Sequence, residues 1–288
     1  MAALGWLAQP SVLPWVVLAL GLCVGSFLNV VIHRLPKMLE REWRAECAAL
    51  AGQEPPKEAS FNLFVPRSRC PSCGHGITAL ENVPLVSWLV LRGKCSSCKA
   101  RIGAKYPLVE LLAGIAGAYS AWRFGPTLAT LGAALFVWFT IALAFIDQET
   151  GFLPDDLTLP LVWIGLLVNL RGTFAPIQDA VIGAVVAYMS LWTVNAVFKW
   201  ARGMDGMGHG DFKLFAAVGA FLGWNMLLLV LVLSSIVGLI FGSIQMFAAR
   251  RGLDWKFKFH FGPYIALAGI VAMFWGVPIM HWWYRHYV

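Results

Sequence analysis

Two aspartates stand where long apolar runs give way to polar residues, and carboxylates in that position can do acid–base chemistry. Asp147 ends one run in AFIDQETGFLPDD, and Asp211 opens another in GMDGMGHGDFKL. An ionisable group at the edge of a membrane-crossing stretch is costly and therefore points to a role. Two carboxylates within hydrogen-bonding distance share a proton, so one serves as base toward a water while the other supplies acid. Such a pair hydrolyses an amide without a nucleophilic side chain, and the sequence contains no G-x-S-x-G and no H-E-x-x-H. Gly208 and Gly210, just before Asp211, permit close approach of another backbone, so an extended peptide could dock there. Asp155 and Asp156, beside Pro154, read as helix caps.

A second constellation is Cys70, Cys73, Cys95 and Cys98, two C-x-x-C knuckles separated by 21 residues. Four thiolates in this spacing suit tetrahedral Zn2+, each knuckle wrapping one side of the ion. With every position filled by sulfur no site is left for water, so the metal is structural, folding a module too small for a sizeable core. Two disulfides are the competing reading in an oxidising compartment. His75 reads as a surface residue and not as a fifth ligand. Cys23 and Cys47 have no partner pattern.

These residues are positioned by membrane helices. The 288-residue chain is 59% hydrophobic and only 13% charged, far from the balance of a soluble domain. Eight apolar runs are expected to span a bilayer, near 13–32, 107–124, 128–146, 157–170, 177–198, 212–222, 226–248 and 261–283. The fourth and sixth are short, which fits a helix that begins or ends inside protein. Segments 34–105, 147–156, 199–213 and 250–258 share one side and hold 19 of the 22 Lys and Arg residues. Positive charge marks the cytosolic side, so both termini are expected outside and the segment carrying the cysteines in the reducing cytosol. The domains are a first helix (1–33), a cytosolic zinc-binding module (34–105) and a seven-helix membrane domain (106–288). Within the module, 39–50 reads as a short amphipathic helix and 51–60 as a loop. The net charge of +7 is mainly a topology signal. No base-reading or stacking pattern points to nucleic acid.

Four blocks together resemble the type IV prepilin peptidases, the leader peptidases and N-methyltransferases of pilus and type II secretion systems. They are GSFLNVVIHRLP (25–36), the stretch from PRSRCPSCGHGI through KYPLVELL, DQETGFLPD (147–155) and GMGHGDFKL (206–214). The resemblance implies that Asp147 and Asp211 are the catalytic pair of a GxGD-type aspartic protease in the bacterial inner membrane, facing the cytosol. It implies as substrate a prepilin or pseudopilin whose basic leader precedes a hydrophobic helix that lies among the spans and lipid. Glu149, Asp155, Asp156 and Asp205 are expected to attract that leader. The resemblance also implies methylation of the new N-terminal amine with S-adenosylmethionine. Asn29 and His33, one helical turn apart, and Glu110 are the candidate residues for it. His209 fills a position where the family commonly has an aromatic residue. A methyltransferase with purely structural aspartates and a transporter or channel whose aspartates line a proton path are the rival readings, although transporters place ionisable groups near mid-membrane.

Overall fold

The computed structural model describes residues 9–54, 59–248 and 260–287. The basic segment 250–258 lies wholly outside them, as does part of the expected loop 51–60. The described residues form nine α-helices, two short 3-10 turns and two isolated antiparallel bridges, with no named strand. The helices are α1 (Leu13–Leu50), α2 (Val86–Val90), α3 (Lys105–Phe124), α4 (Leu128–Thr150), α5 (Asp155–Asn169), α6 (Ile177–Arg202), α7 (His209–Leu222), α8 (Leu227–Ala248) and α9 (Gly262–Tyr287). Five helical stretches, within α1, α4, α6, α8 and α9, are long and apolar enough to cross a membrane. Helices α3, α5 and α7 fall where three further spans are expected. The chain divides into two compact units, one up to Pro126 and one from Thr127 onward.

In the first unit, α1 and α3 run antiparallel in close contact. A Cβ added to Gly21 would come within 2.7 Å of the Ala113 carbonyl, and one added to Gly25 within 2.6 Å of Glu110 Cα. Small residues let two backbones approach in this way where no hydrophobic driving force separates helix from lipid. The expected short helix 39–50 is not separate. Helix α1 continues through Pro36 for 38 residues, about 57 Å at 1.5 Å per residue and well beyond a hydrocarbon core of about 30 Å. Its projecting part is braced by Arg34, whose buried guanidinium donates to the carbonyls of Asn62 (2.9 Å) and Pro66 (2.5 Å). Arg41 lies over the Phe61 ring at 4.4 Å.

In the second unit the shortest long-range helix is the most enclosed. Every residue of α7 from Asp211 to Leu222 is buried except Lys213. Gly219 meets the Gly183 backbone of α6, and Gly165 of α5 leaves room for the Phe221 ring. Phe221 in turn packs on Phe136 of α4, ring centroids 4.9 Å apart. A helix that ends inside protein leaves carbonyls without intrahelical partners. Asn169 supplies them: its Nδ2 donates to the Ala220 (2.9 Å) and Phe221 (2.7 Å) carbonyls. Its Oδ1 accepts from the amides of Phe174 (2.9 Å) and Ala175 (3.2 Å).

Candidate active site

Asp147 occupies the last full turn of α4, which Gly151 closes in the left-handed region (φ 75°) with its amide on the Asp147 carbonyl at 2.8 Å. Only 5% of Asp147 is exposed. Its Oδ2 accepts the Gly262 amide at 3.1 Å, so the start of α9 holds one oxygen of the carboxylate. A Cβ at Gly262 would fall 2.6 Å from that oxygen, so any side chain there would have to displace the carboxylate. His260, two residues earlier, acts electrostatically on Asp147 and lies against Gly151.

Asp211 is the third residue of α7 and 8% exposed. Its amide donates to the Gly208 carbonyl at 3.1 Å, and its Oδ1 is buried with no hydrogen-bond partner among the described residues. The charge of Asp147 acts directly on it. The ends of α4 and α7 thus bring together the two carboxylates picked out in the sequence, one oxygen anchored by a backbone amide and another left open.

The two glycines before Asp211 differ. Gly210 abuts Leu153: a Cβ there would lie 2.6 Å from Leu153 Cβ, and the Leu153 Cδ1 also approaches Gly262. Gly208, the N-cap of α7, is exposed, and a Cβ added to it would meet nothing nearer than Asp211 Oδ2 at 3.6 Å. Gly210→Ala is therefore expected to lower stability by about 1–3 kcal/mol through overpacking. Gly208→Ala is expected to unfold at the wild-type temperature, and thermal unfolding in detergent compares the two.

Other polar side chains fix the surrounding loops. Asn195 Oδ1 accepts the amides of Gly206 (2.9 Å) and Met207 (3.1 Å), setting the approach to Gly208. Asp155 is not a cap, contrary to expectation. Pro154 takes the N-cap position without a side-chain bond, and the Asp155 carboxylate instead binds Lys213 of α7 at 2.6 and 2.7 Å. Asp205 is held by Lys199 at 3.1 Å, which keeps its carboxyl below the ordinary aspartate range. Two of the four acids expected to attract a basic leader are therefore already paired with lysines. Gly262, His260, Leu153, Asn195 and Lys213 were not picked out from the sequence. Asn195, a polar residue within an apolar run, carried the one available signal.

The four cysteines converge in the first unit. Their sulfurs all lie within 4.8 Å of one another, Cys70 and Cys98 at 3.8 Å, and all are free thiols. Tetrahedral Zn2+ with Zn–S bonds of about 2.3 Å requires sulfurs about 3.8 Å apart, so the set fits the ion. Amides of Cys73 and Ser72 directed at Cys70 hold its thiol down to about 6, and those of Cys98 and Ser97 lower Cys95 in the same way. His75 is turned to Glu81: its Nε2 lies 3.3 Å from both oxygens of that carboxylate. The Ser96 side chain, then the amide and hydroxyl of Thr78, bring the Glu81 carboxyl down to about 2. Because that folded value is depressed, the clasp contributes fully above the unfolded value of about 4.3 and is lost as pH falls toward the folded one. Urea-dependent alkylation of the cysteines should separate wild type from Glu81→Gln most clearly near neutral pH, the gap narrowing below about pH 4.

A further polar cluster lies between α1 and α3. Asn29, 7% exposed, donates to the Tyr106 carbonyl at 3.0 Å, while its Oδ1 is buried without a partner among the described residues. Glu110 accepts the Leu85 amide at 2.8 Å on Oε2 and also bonds Ser26. His33 does not join them. It is exposed on α1, its Nε2 3.0 Å from Lys37 Nζ.

An all-helical protein with apolar membrane-length helices, a buried aspartate pair and a four-cysteine cluster is the class that these features define. The comparisons make it specific. Residues 19–124 match the bacterial peptidase A24 N-terminal domain, and residues 134–243 match the type IV leader peptidase family. The chain is 51% identical over 278 residues to the prepilin leader peptidase/N-methyltransferase of Aeromonas salmonicida, covering 94% of this chain and 95% of that one. It is 52% identical over 261 residues to the protein of the same name from Pseudomonas aeruginosa (90% and 89% covered). For that of Burkholderia pseudomallei the figure is 46% over 285 residues (96% and 92%). The chain belongs to the type IV leader peptidase family. No solved structure matches it.

Proposed function

We propose that the protein cleaves the leader from type IV prepilins and pseudopilins at the cytosolic face of the bacterial inner membrane and then methylates the new N-terminal residue. The observation that carries the cleavage half is the buried Asp147–Asp211 pair at the ends of α4 and α7. One carboxylate takes a proton from the attacking water, and the other protonates the departing amine. The exposed backbone at Gly208 is where the substrate chain approaches, while Gly210 keeps α7 close to Leu153. The basic leader stays on the cytosolic side and the hydrophobic helix of the prepilin enters among the spans. Helices α3, α5 and α7 complete eight spans with the five apolar ones, which puts both termini in the periplasm and the cysteine module in the cytosol.

The module at 34–105 holds Zn2+ through Cys70, Cys73, Cys95 and Cys98 as a structural ion. Methyl transfer belongs to the Asn29–Glu110 cluster. The buried, unpartnered Asn29 Oδ1 marks a place that accepts a polar group. S-adenosylmethionine would supply an electrophilic methyl group there. Glu110, with Oε2 committed to Leu85, orients the amine and takes up its proton. In liposomes containing the full-length protein, a prepilin with a basic leader should lose that leader and gain a labelled methyl group from S-adenosylmethionine. Glu110→Gln is expected to lower methylation by about 10²-fold or more, the scale of one lost acid–base group, while cleavage remains near wild type. Uncut substrate with the unaltered protein would refute the proposal.

A further inference from the structure

Between the two cysteine knuckles the module leaves an apolar face uncovered. Val86, Leu89 and Val90 on α2 are 55%, 65% and 75% exposed. Trp88, on the same short helix, turns inward against Gly93 and donates to the Ile102 carbonyl at 3.4 Å. Leu80 and Val83, just upstream, are exposed as well. Adjacent exposed apolar residues of this kind mark an interaction surface.

The depth of this face is set by a hydrogen bond. The Leu85 amide, immediately before α2, is bound by Glu110. Glu110 lies five residues into α3, about 7–8 Å below its first residue at 1.5 Å per residue. At that level α3 packs on Gly25 of α1, within a helix apolar enough to cross a membrane. The main chain at Leu85 is therefore held at the depth of the spans. Leu85 also adopts a φ of 57°, a conformation unfavourable for a leucine that persists only where its surroundings impose it. Directly after the apolar face come the exposed Arg92 and Lys94, and Lys94 forms a backbone bridge to Arg101.

We propose that residues 83–90 are inserted in the cytosolic leaflet, with Val86, Leu89 and Val90 among acyl chains and Arg92, Lys94 and Arg101 at anionic headgroups. This rests on the reading of α3 as a span. The cysteine module is thereby moored to the bilayer beside Glu110, as an interfacial structure and not a freely solvated one.

The test places p-benzoylphenylalanine singly at Leu89, Val90, Ser97 and Ile115 of the full-length protein in phosphatidylglycerol-containing liposomes, with and without prepilin. Mass spectrometry after illumination should find several-fold more lipid adduct at Leu89 and Val90 than at the knuckle residue Ser97. Ile115, an exposed residue in the middle of α3, reports on the span itself. Lipid adducts at Ile115 with none at Leu89 or Val90 would overturn the inference while leaving the span intact. Absence at all of them would overturn both. Adducts to prepilin in place of lipid at Leu89 and Val90 would make the face a substrate surface and likewise refute insertion.

Discussion

Replacing Asp147 or Asp211 with asparagine should leave prepilin uncut, with turnover down by about 10³-fold or more, because each change removes a group proposed to move a proton in the reaction. Methylation of a synthetic, already cleaved pilin should continue near the wild-type rate. The cluster proposed for it, Asn29 and Glu110, lies on α1 and α3 in the other compact unit. The asparagine variants keep the shape of the site, and Asp147→Asn retains a side-chain oxygen to accept the Gly262 amide, so both should fold and reach the membrane. A further variant separates chemistry from packing. Gly262→Ala keeps both carboxylates but forces a methyl group toward Asp147 Oδ2, and it should lose cleavage through displacement of that oxygen. Wild-type cleavage by Asp147→Asn or Asp211→Asn would remove the aspartates from the mechanism.

Stripping the metal should have the second large effect. The purified protein is expected to carry about one zinc per chain, and each of Cys70→Ser, Cys73→Ser, Cys95→Ser and Cys98→Ser should reduce that content severely. Free energies of about 10–16 kcal/mol accompany structural zinc binding in small peptides, comparable to or larger than the stability of an ordinary domain. The cysteine module has two isolated bridges, one short helix and a few buried side chains, too little apolar burial to fold unaided. Proteolysis should therefore cut metal-free protein between residues 67 and 105 while α4 to α9 stay intact. Cys23→Ser and Cys47→Ser, outside the cluster, should retain the metal. Zinc content by mass spectrometry, with a proteolytic map of the same samples, reads both outcomes.

Local chemistry was the legible part of this chain. Asp147 and Asp211 could be read because a carboxylate beside an apolar run is costly, and the four cysteines because a knuckle is encoded within a few residues. The groups that tune the aspartates were not. Gly262 touches Asp147 across 115 positions, and a glycine amide carries no mark of what it will bind. The continuity of α1 past Pro36 was hidden for another reason. The basic residues from Arg34 onward report where the chain leaves the bilayer, and they say nothing of where the helix stops. Asp155 reads as a cap from its neighbourhood, but the cation it binds, Lys213, comes from another helix and has no local signature. Asn29 was legible as a polar residue within a span. Its alignment with Tyr106 followed from the Gly21 and Gly25 contacts that set the register of α1 on α3.

The Asn169 clasp bears on how the enzyme meets membranes of different thickness. Lipid-facing helices answer hydrophobic mismatch by tilting or by drawing the bilayer toward them. Helix α7 is almost wholly enclosed by protein, and its far end is fastened to the side-chain amide of Asn169. At 14 residues it is about 21 Å long, so the height of Asp211 is measured from Asn169 and not from the lipid. A thinner or thicker bilayer re-angles the outer helices, while the Asp211 carboxylate stays level with its support.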